Sequence, residues 1–262
     1  MNPFVSAAAA AFAAFGLGRL SRWPTPKRDE PSEQHVYSID ATPLGEPSRT
    51  PPEKPYRGDY SFTQQCDWFT GNIPSWSSAL EPFKGRPNLR YLEVGVSEGR
   101  STVWMIENVL THPTSSATCI DPFMHWPGFL EKEGEVVDCF NANLEASGAA
   151  ERVRAIQGFS QIELRKLPAD ELFDIIYVDG RHEARSALED LVLAWRLLAV
   201  GGVLIADDYL YFEDKPIAGR PMMGIDFFVE AFGDELEVVL RRYQVIVRKT
   251  ATLNLIGANP YL

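Results

Sequence analysis

Five short apolar runs, at residues 90–94, 117–120, 153–157, 175–178 and 203–206, alternate with stretches that carry helical spacing of apolar residues. The runs do not alternate apolar with polar, so both faces of each strand are covered. Parallel strands also need a crossover of about a dozen residues, usually a helix, between them. Together these features confine the chain to a doubly wound α/β fold with a mostly parallel sheet. The intervening helices are expected at 101–110, 128–147, 161–167 and 184–198, after a helical lead-in at 62–80 interrupted by Pro74. Beyond Asp208, a helix at 224–232 precedes strands at 237–240 and 244–248, joined through Arg241-Arg242-Tyr243. That link is too short for a crossover, so the sixth and seventh strands should pair antiparallel at the sheet edge.

At 262 residues, 45% hydrophobic and 23% charged, the chain can bury one domain of about 200 residues and still carry a tail. Its net charge is −11, and the first 28 residues contribute +4 through Arg19, Arg22, Lys27 and Arg28, leaving −15 on the rest. Such a surface repels a phosphate backbone and excludes nucleic acid as the expected partner. Cys66, Cys119 and Cys139 have no CxxC spacing and an odd count, which fits free thiols in a reducing compartment and not a disulfide framework or zinc cluster. Residues 1–22 form an alanine-rich apolar tail. No basic residue precedes its 4–20 stretch, which disfavours a secretory signal. A membrane anchor through 4–20, an organelle transit peptide and an ordinary tail all remain open. Residues 23–58 carry eight prolines among polar residues and read as a linker, leaving 59–262 as the folded domain.

Two strands end in carboxylates. Phe173-Asp174-Ile175-Ile176-Tyr177-Val178 runs into Asp179-Gly180-Arg181-His182, and Gly201-Gly202-Val203-Leu204-Ile205-Ala206 runs into Asp207-Asp208. Acidic ligands for a hard cation and a candidate base, His182, would meet at the C-terminal edge of one sheet. The first strand leads into Glu93-Val94-Gly95-Val96-Ser97-Glu98-Gly99-Arg100-Ser101. Its glycines let the backbone turn sharply and approach a ligand, and the next helix offers its N-terminus to an anion. Glu93 puts a negative charge where a dinucleotide would place phosphate, and favours a ligand bearing an ammonium group. Asp121, 22 residues after Gly99, suits the two hydroxyls of a ribose, with a helix cap before Pro122 as the alternative.

Glu93-x-Gly95-x-x-x-Gly99-x-Ser101, Asp121, Gly158-Phe159-Ser160-Gln161, Asp179-x-x-His182 and Gly202 to Asp208 together resemble a class I S-adenosylmethionine-dependent methyltransferase. The resemblance covers about residues 60–249. It points to the metal-dependent O-methyltransferases of catechol type and, through Asp-Gly-x-His, to the macrolide-sugar and cephalosporin-hydroxylase-like branch. It implies a seven-stranded sheet whose antiparallel last strand distinguishes it from the nicotinamide-binding version of the fold. It also implies that Glu93 holds the methionine ammonium, that Gly95 and Gly99 form the turn, and that Ser101 contacts the carboxylate. Asp121 would take the ribose, and Ser160 and Gln161 the adenine, with Phe159 as an apolar neighbour. Asp179, Asp207 and Asp208 would ligate magnesium, although the catechol-type enzymes carry asparagine at the position of Asp208. His182 and Asp179 would be the catalytic pair, His182 standing where the catechol type has a lysine and the sugar enzymes a histidine.

Methyl transfer from a sulfonium is an in-line displacement. A cation on the acceptor oxygen favours the alkoxide, and an imidazole can take the proton. The expected reaction is O-methylation of a small-molecule hydroxyl, on a sugar or a diol. A cofactor-binding pseudoenzyme and a metal-free N- or C-methyltransferase are the alternatives, while a nicotinamide oxidoreductase fits poorly with Glu93. Substrate choice should lie in residues 67–74, 123–129 and 209–223, the last with Tyr211, Phe212 and Met222. A homodimer suits the fold, although no sequence feature demonstrates one.

Overall fold

The computed structural model describes residues 54–62, 67–124, 135–211 and 214–253, all within the compact unit Glu46–Leu262. The apolar stretch 4–20, most of the linker, Cys66, residues 125–129 and Phe212 lie outside the described residues. Among the described residues no helix is long and apolar enough to cross a membrane.

The lead-in is a short 3-10 turn, Thr70–Asn72, and helix α1, Ile73–Ala79, with Pro74 in its first turn where a missing N–H costs nothing. Strands and helices then alternate: β1 Arg90–Val94, α2 Arg100–Asn108, β2 Ser116–Asp121, α3 Glu135–Ala146, β3 Val153–Gln157, α4 Ser160–Lys166, β4 Phe173–Val178, α5 Ala184–Trp195 and β5 Leu198–Ala206. Helix α6 (Pro221–Ala231), β6 (Leu236–Arg241) and β7 (Val245–Lys249) complete the domain. The sheet order is β3-β2-β1-β4-β5-β7-β6. The five strands from β3 to β5 are parallel, and β7 is antiparallel to both β5 and β6. The expected antiparallel pair is therefore present, with β7 inserted beside β5 and β6 left at the edge.

Each strand feeds two cores. Tyr91, Ile175, Tyr177, Val203 and Ile205 face Trp76, Trp104 and Phe140 from α1, α2 and α3. Leu92, Val94, Ile176, Val178 and Leu204 face Leu164, Leu191, Trp195 and Phe228 from α4, α5 and α6. Covering both faces explains the unalternating runs, and each large side chain so buried stabilises by about 2–3 kcal/mol.

Several boundaries differ from the sequence reading: α1 begins at Ile73 and runs through Pro74 instead of being broken there, α6 begins at Pro221, and two further differences have a clear physical cause. Strand β5 begins at Leu198, five residues before the apolar run, because Leu198 already pairs with Phe173. Buried Lys249 donates from Nζ to the carbonyls of Trp195 and Leu198, both at 3.0 Å, and so satisfies the end of α5. Gly202 lies inside the strand because a Cβ there would sit 2.7 Å from the Asp174 carbonyl oxygen. At the other end, residues 57–61 are fastened to the domain. The amides of Arg57 and Gly58 donate to Glu107 at 2.8 Å, the Tyr60 hydroxyl donates to Glu107 at 2.9 Å, and the Ser61 amide donates to Asn143 at 2.9 Å. Residues 57 and 58, read from composition as linker, thus pack as part of the domain.

Candidate active site

The strand C-termini bring the predicted residues to one edge. Gly95 has φ 82° and Gly99 φ 83°, and a Cβ on Gly95 would lie 1.7 Å from the Asp179 carbonyl oxygen. The first turn is therefore pressed against the exit of β4, which only glycine permits. Asp121 organises the same turn: Oδ2 accepts from the amides of Val96 (2.7 Å) and Ser97 (2.9 Å), and Oδ1 accepts from Phe123 (2.6 Å).

Glu93 is fully buried. It accepts from the Thr102 hydroxyl at 2.7 Å and from the Ser101 hydroxyl. Burial raises its pKa to about 7 against the opposing effect of those two hydroxyls. Ser101, expected on a cofactor carboxylate, is thus turned toward Glu93. Ser160 is buried and Phe159 exposed at the start of α4. Gln161 donates from Nε2 to Asp190 Oδ1 at 2.9 Å. Asp190, unremarked in the sequence, is fully buried on α5, and burial pushes its carboxyl up to about 7. Its one signal was an acid between Ala187 and Leu191 on the apolar stripe of that helix.

Register aligns the second constellation. Val178 pairs with Ala206, so Asp179 and Asp207 leave the sheet side by side, and Ala206 pairs with Val245, which seats Gln244 next to Asp207. Oxygen or nitrogen atoms of Asp179, His182 and Asp208 lie within 4.8 Å of one another. His182 Nε2 is 2.8 Å from Asp208 Oδ2 and 4.0 Å from Asp179 Oδ1. The Tyr243 hydroxyl donates to Asp208 Oδ1 at 2.7 Å, and Asp208 adopts φ 60°. Asp207 faces inward: Oδ2 accepts from the Tyr177 hydroxyl and from Gln244 Nε2 at 2.9 Å, and Oδ1 accepts from the Asp208 amide at 2.7 Å. Burial first, then the charges of Asp207 and Asp208, hold Asp179 well above the ordinary carboxylate range. Burial and then the Asp208 charge bring Asp207 to about 6. The cluster is short of positive charge.

Asp179 borders two hollows. One is lined by Trp68, Phe69, Gly95, Ser97, Ser101 and Tyr177. The other is lined by Gly180, His182, Asp207, Asp208 and Ile225.

These raised carboxyls predict a pH dependence. Glu93, Asp190, Asp207 and Asp179 all hold protons above the ordinary values of 4.5 and 3.8, so between about pH 4 and 7 the folded chain binds more protons than the unfolded one. Their contribution is fully present below about pH 4 and is lost as pH rises through about 7, by up to about 1.4 kcal/mol per group per pH unit. In chelator, Glu93→Gln should therefore flatten the fall of Tm between pH 5 and 8. An unchanged slope would show that Glu93 titrates in its ordinary range.

The description of a methyltransferase domain matches residues 92–209, from β1 to just beyond the Asp207-Asp208 pair. Among solved structures, the O-methyltransferase TomG from Streptomyces achromogenes, in complex with S-adenosylmethionine, aligns at TM-score 0.52 and 19% identity over 68% of this chain and 80% of its own. Cofactor-bound Rv0187 from MTB aligns at TM-score 0.52 and 16% identity, over 72% of this chain and 85% of its own. A protein from Corynebacterium glutamicum aligns at TM-score 0.53 and 18% identity, over 72% and 83%. No curated protein matches the sequence. The likeness to solved structures is one of fold, and the family match adds that residues 92–209 are similar to a methyltransferase domain; the seven-stranded sheet with its antiparallel last strand has the Rossmann-like methyltransferase fold.

Proposed function

We propose that the protein transfers a methyl group from S-adenosylmethionine to a hydroxyl of a small molecule, assisted by a divalent cation such as magnesium. The observation that carries this reading is the position of Asp179, which borders both the hollow lined by Gly95 and Ser101 and the hollow lined by His182 and Asp208. A donor in the first and an acceptor in the second would meet at its carboxylate. The fold shared with TomG, itself an O-methyltransferase, supports the same reading.

The residues suit both the methyl donor and a cation. Glu93 is a buried acid with only hydroxyl partners in the described residues, so an ammonium would supply the charge it lacks. Crowded, raised Asp179 and Asp207 call for a cation in the same way. S-adenosylmethionine would supply an electrophilic methyl, and the cation would stabilise negative charge on the acceptor oxygen. Glu93 would hold the ammonium within the turn of Gly95 and Gly99, and Asp121 the ribose. Phe159, Ser160 and Gln161 would border the adenine. Asp179 and Asp208 would hold the cation, since hard cations select oxygen. His182, oriented by Asp208, would then accept the acceptor's proton at the nitrogen not facing that carboxylate. Trp68 and Tyr211, both exposed near these groups, offer apolar faces to the acceptor.

Calorimetric titration of S-adenosylmethionine and S-adenosylhomocysteine into the full chain, with magnesium and then with chelator, tests the reading. Micromolar binding of both and a separate magnesium heat are expected. A folded protein that binds neither ligand would end it.

A further inference from the structure

Beneath the carboxylates runs a buried polar chain that the roles above do not use. Trp76, on α1, donates from Nε1 to Gln244 Oε1 at 2.9 Å. Gln244, before β7, donates from Nε2 to Asp207 Oδ2 at 2.9 Å, and the Tyr177 hydroxyl on β4 donates to that same oxygen. The Tyr177 oxygen also lies 3.0 Å from Asp179 Oδ2. All four residues are at most 8% exposed, and they come from four separate places in the chain: α1, β4, the residue after β5 and the residue before β7. Buried polar groups at this density cost stability unless their geometry is needed or fully compensated.

Their hydrogen count is informative. The phenol has one hydrogen and two carboxylate oxygens in reach, so giving it to Asp207 leaves Asp179 Oδ2 facing an oxygen, and only a proton or a cation on Asp179 offsets that. Asp207, by contrast, accepts two donors on Oδ2 and one on Oδ1, and is nearly closed to solvent. Its Oδ1 bond also fixes the Asp208 amide, beside the left-handed φ of 60° that turns Asp208 toward His182.

We propose that Asp207 is a positioning residue and not a cation ligand. With Trp76, Gln244 and Tyr177 it forms a frame that aims the Asp179 carboxylate and sets the backbone of Asp208. The frame ties helix α1, which follows the Trp68 and Phe69 wall of the first hollow, to the cation site. The inference rests on the reading of Asp179 and Asp208 as cation ligands.

Manganese binding, followed by electron paramagnetic resonance on the full chain, tests it alongside S-adenosylhomocysteine affinity measured in chelator. Tyr177→Phe and Gln244→Met keep side-chain volume, and each should weaken manganese binding about 10-fold or more, while in Gln244→Met, which lines neither hollow, S-adenosylhomocysteine affinity stays within about threefold. Asp207→Asn should weaken manganese no further than Tyr177→Phe does, and the double variant should lose little beyond either single one, because both break the same frame. Additive losses would make Asp207 a ligand and overturn the proposal. Unchanged manganese affinity in both Tyr177→Phe and Gln244→Met would overturn it as well. A wild-type protein that binds S-adenosylhomocysteine but no manganese would remove the cation reading together with this frame, while leaving the methyl-donor reading standing.

Discussion

Replacing Glu93 by alanine should raise the dissociation constant of S-adenosylmethionine on the order of 100-fold, equivalent to about 3 kcal/mol. The carboxylate is fully buried at the end of β1 and is held by the hydroxyls of Ser101 and Thr102. With burial raising its pKa to about 7, keeping it charged without a partner is costly, and an incoming ammonium reverses that cost. The same substitution removes the unfavourable buried charge from the ligand-free protein, so stability at pH 8 should suffer less than the truncation of a core side chain would suggest. Calorimetry on the purified variant reads the first effect, and thermal unfolding reads the second. An S-adenosylmethionine affinity unchanged by Glu93→Ala would remove Glu93 from the cofactor site.

Asp179→Asn should produce the complementary phenotype. The amide keeps the shape of the carboxylate but loses the charge at the junction of the two hollows. Turnover with a true acceptor should fall about 10³-fold, the scale of losing electrostatic stabilisation at the reacting oxygen. Magnesium binding should fall with it, while S-adenosylhomocysteine affinity in chelator stays within a few fold. Full activity in the Asp179→Asn protein would exclude a cation held by that carboxylate.

Much of the fold could be read directly. Strands β1 and β3 occupy residues 90–94 and 153–157 as expected, because an apolar run bounded by polar residues or glycine marks a buried strand wherever it lies. The antiparallel pairing of β6 with β7 followed from the length of their link. The place of β7 between β5 and β6 did not, since pairing with β5 joins segments about 40 residues apart and leaves no local trace. The early start of β5 was hidden for a similar reason: Lys249, about 50 residues further on, caps the helix before it.

The candidate site divides the same way. Residue type at strand ends is local information, so Glu93, Asp121, Asp179, Asp207, Asp208 and His182 were all legible from the sequence. Their directions were not. Asp207 and Asp208 are adjacent and chemically identical, yet one is turned inward by Tyr177 and Gln244 and the other outward to His182 and Tyr243. The Trp76 to Gln244 bond that anchors this choice spans 168 residues. The sequence by itself determined which chemical groups reach the C-terminal edge of the sheet, because strand periodicity and turn glycines act over a few residues. Only the tertiary structure decided which carboxylates face solvent and which are satisfied within, because burial and hydrogen-bond partners are set by segments that meet only once the sheet has formed.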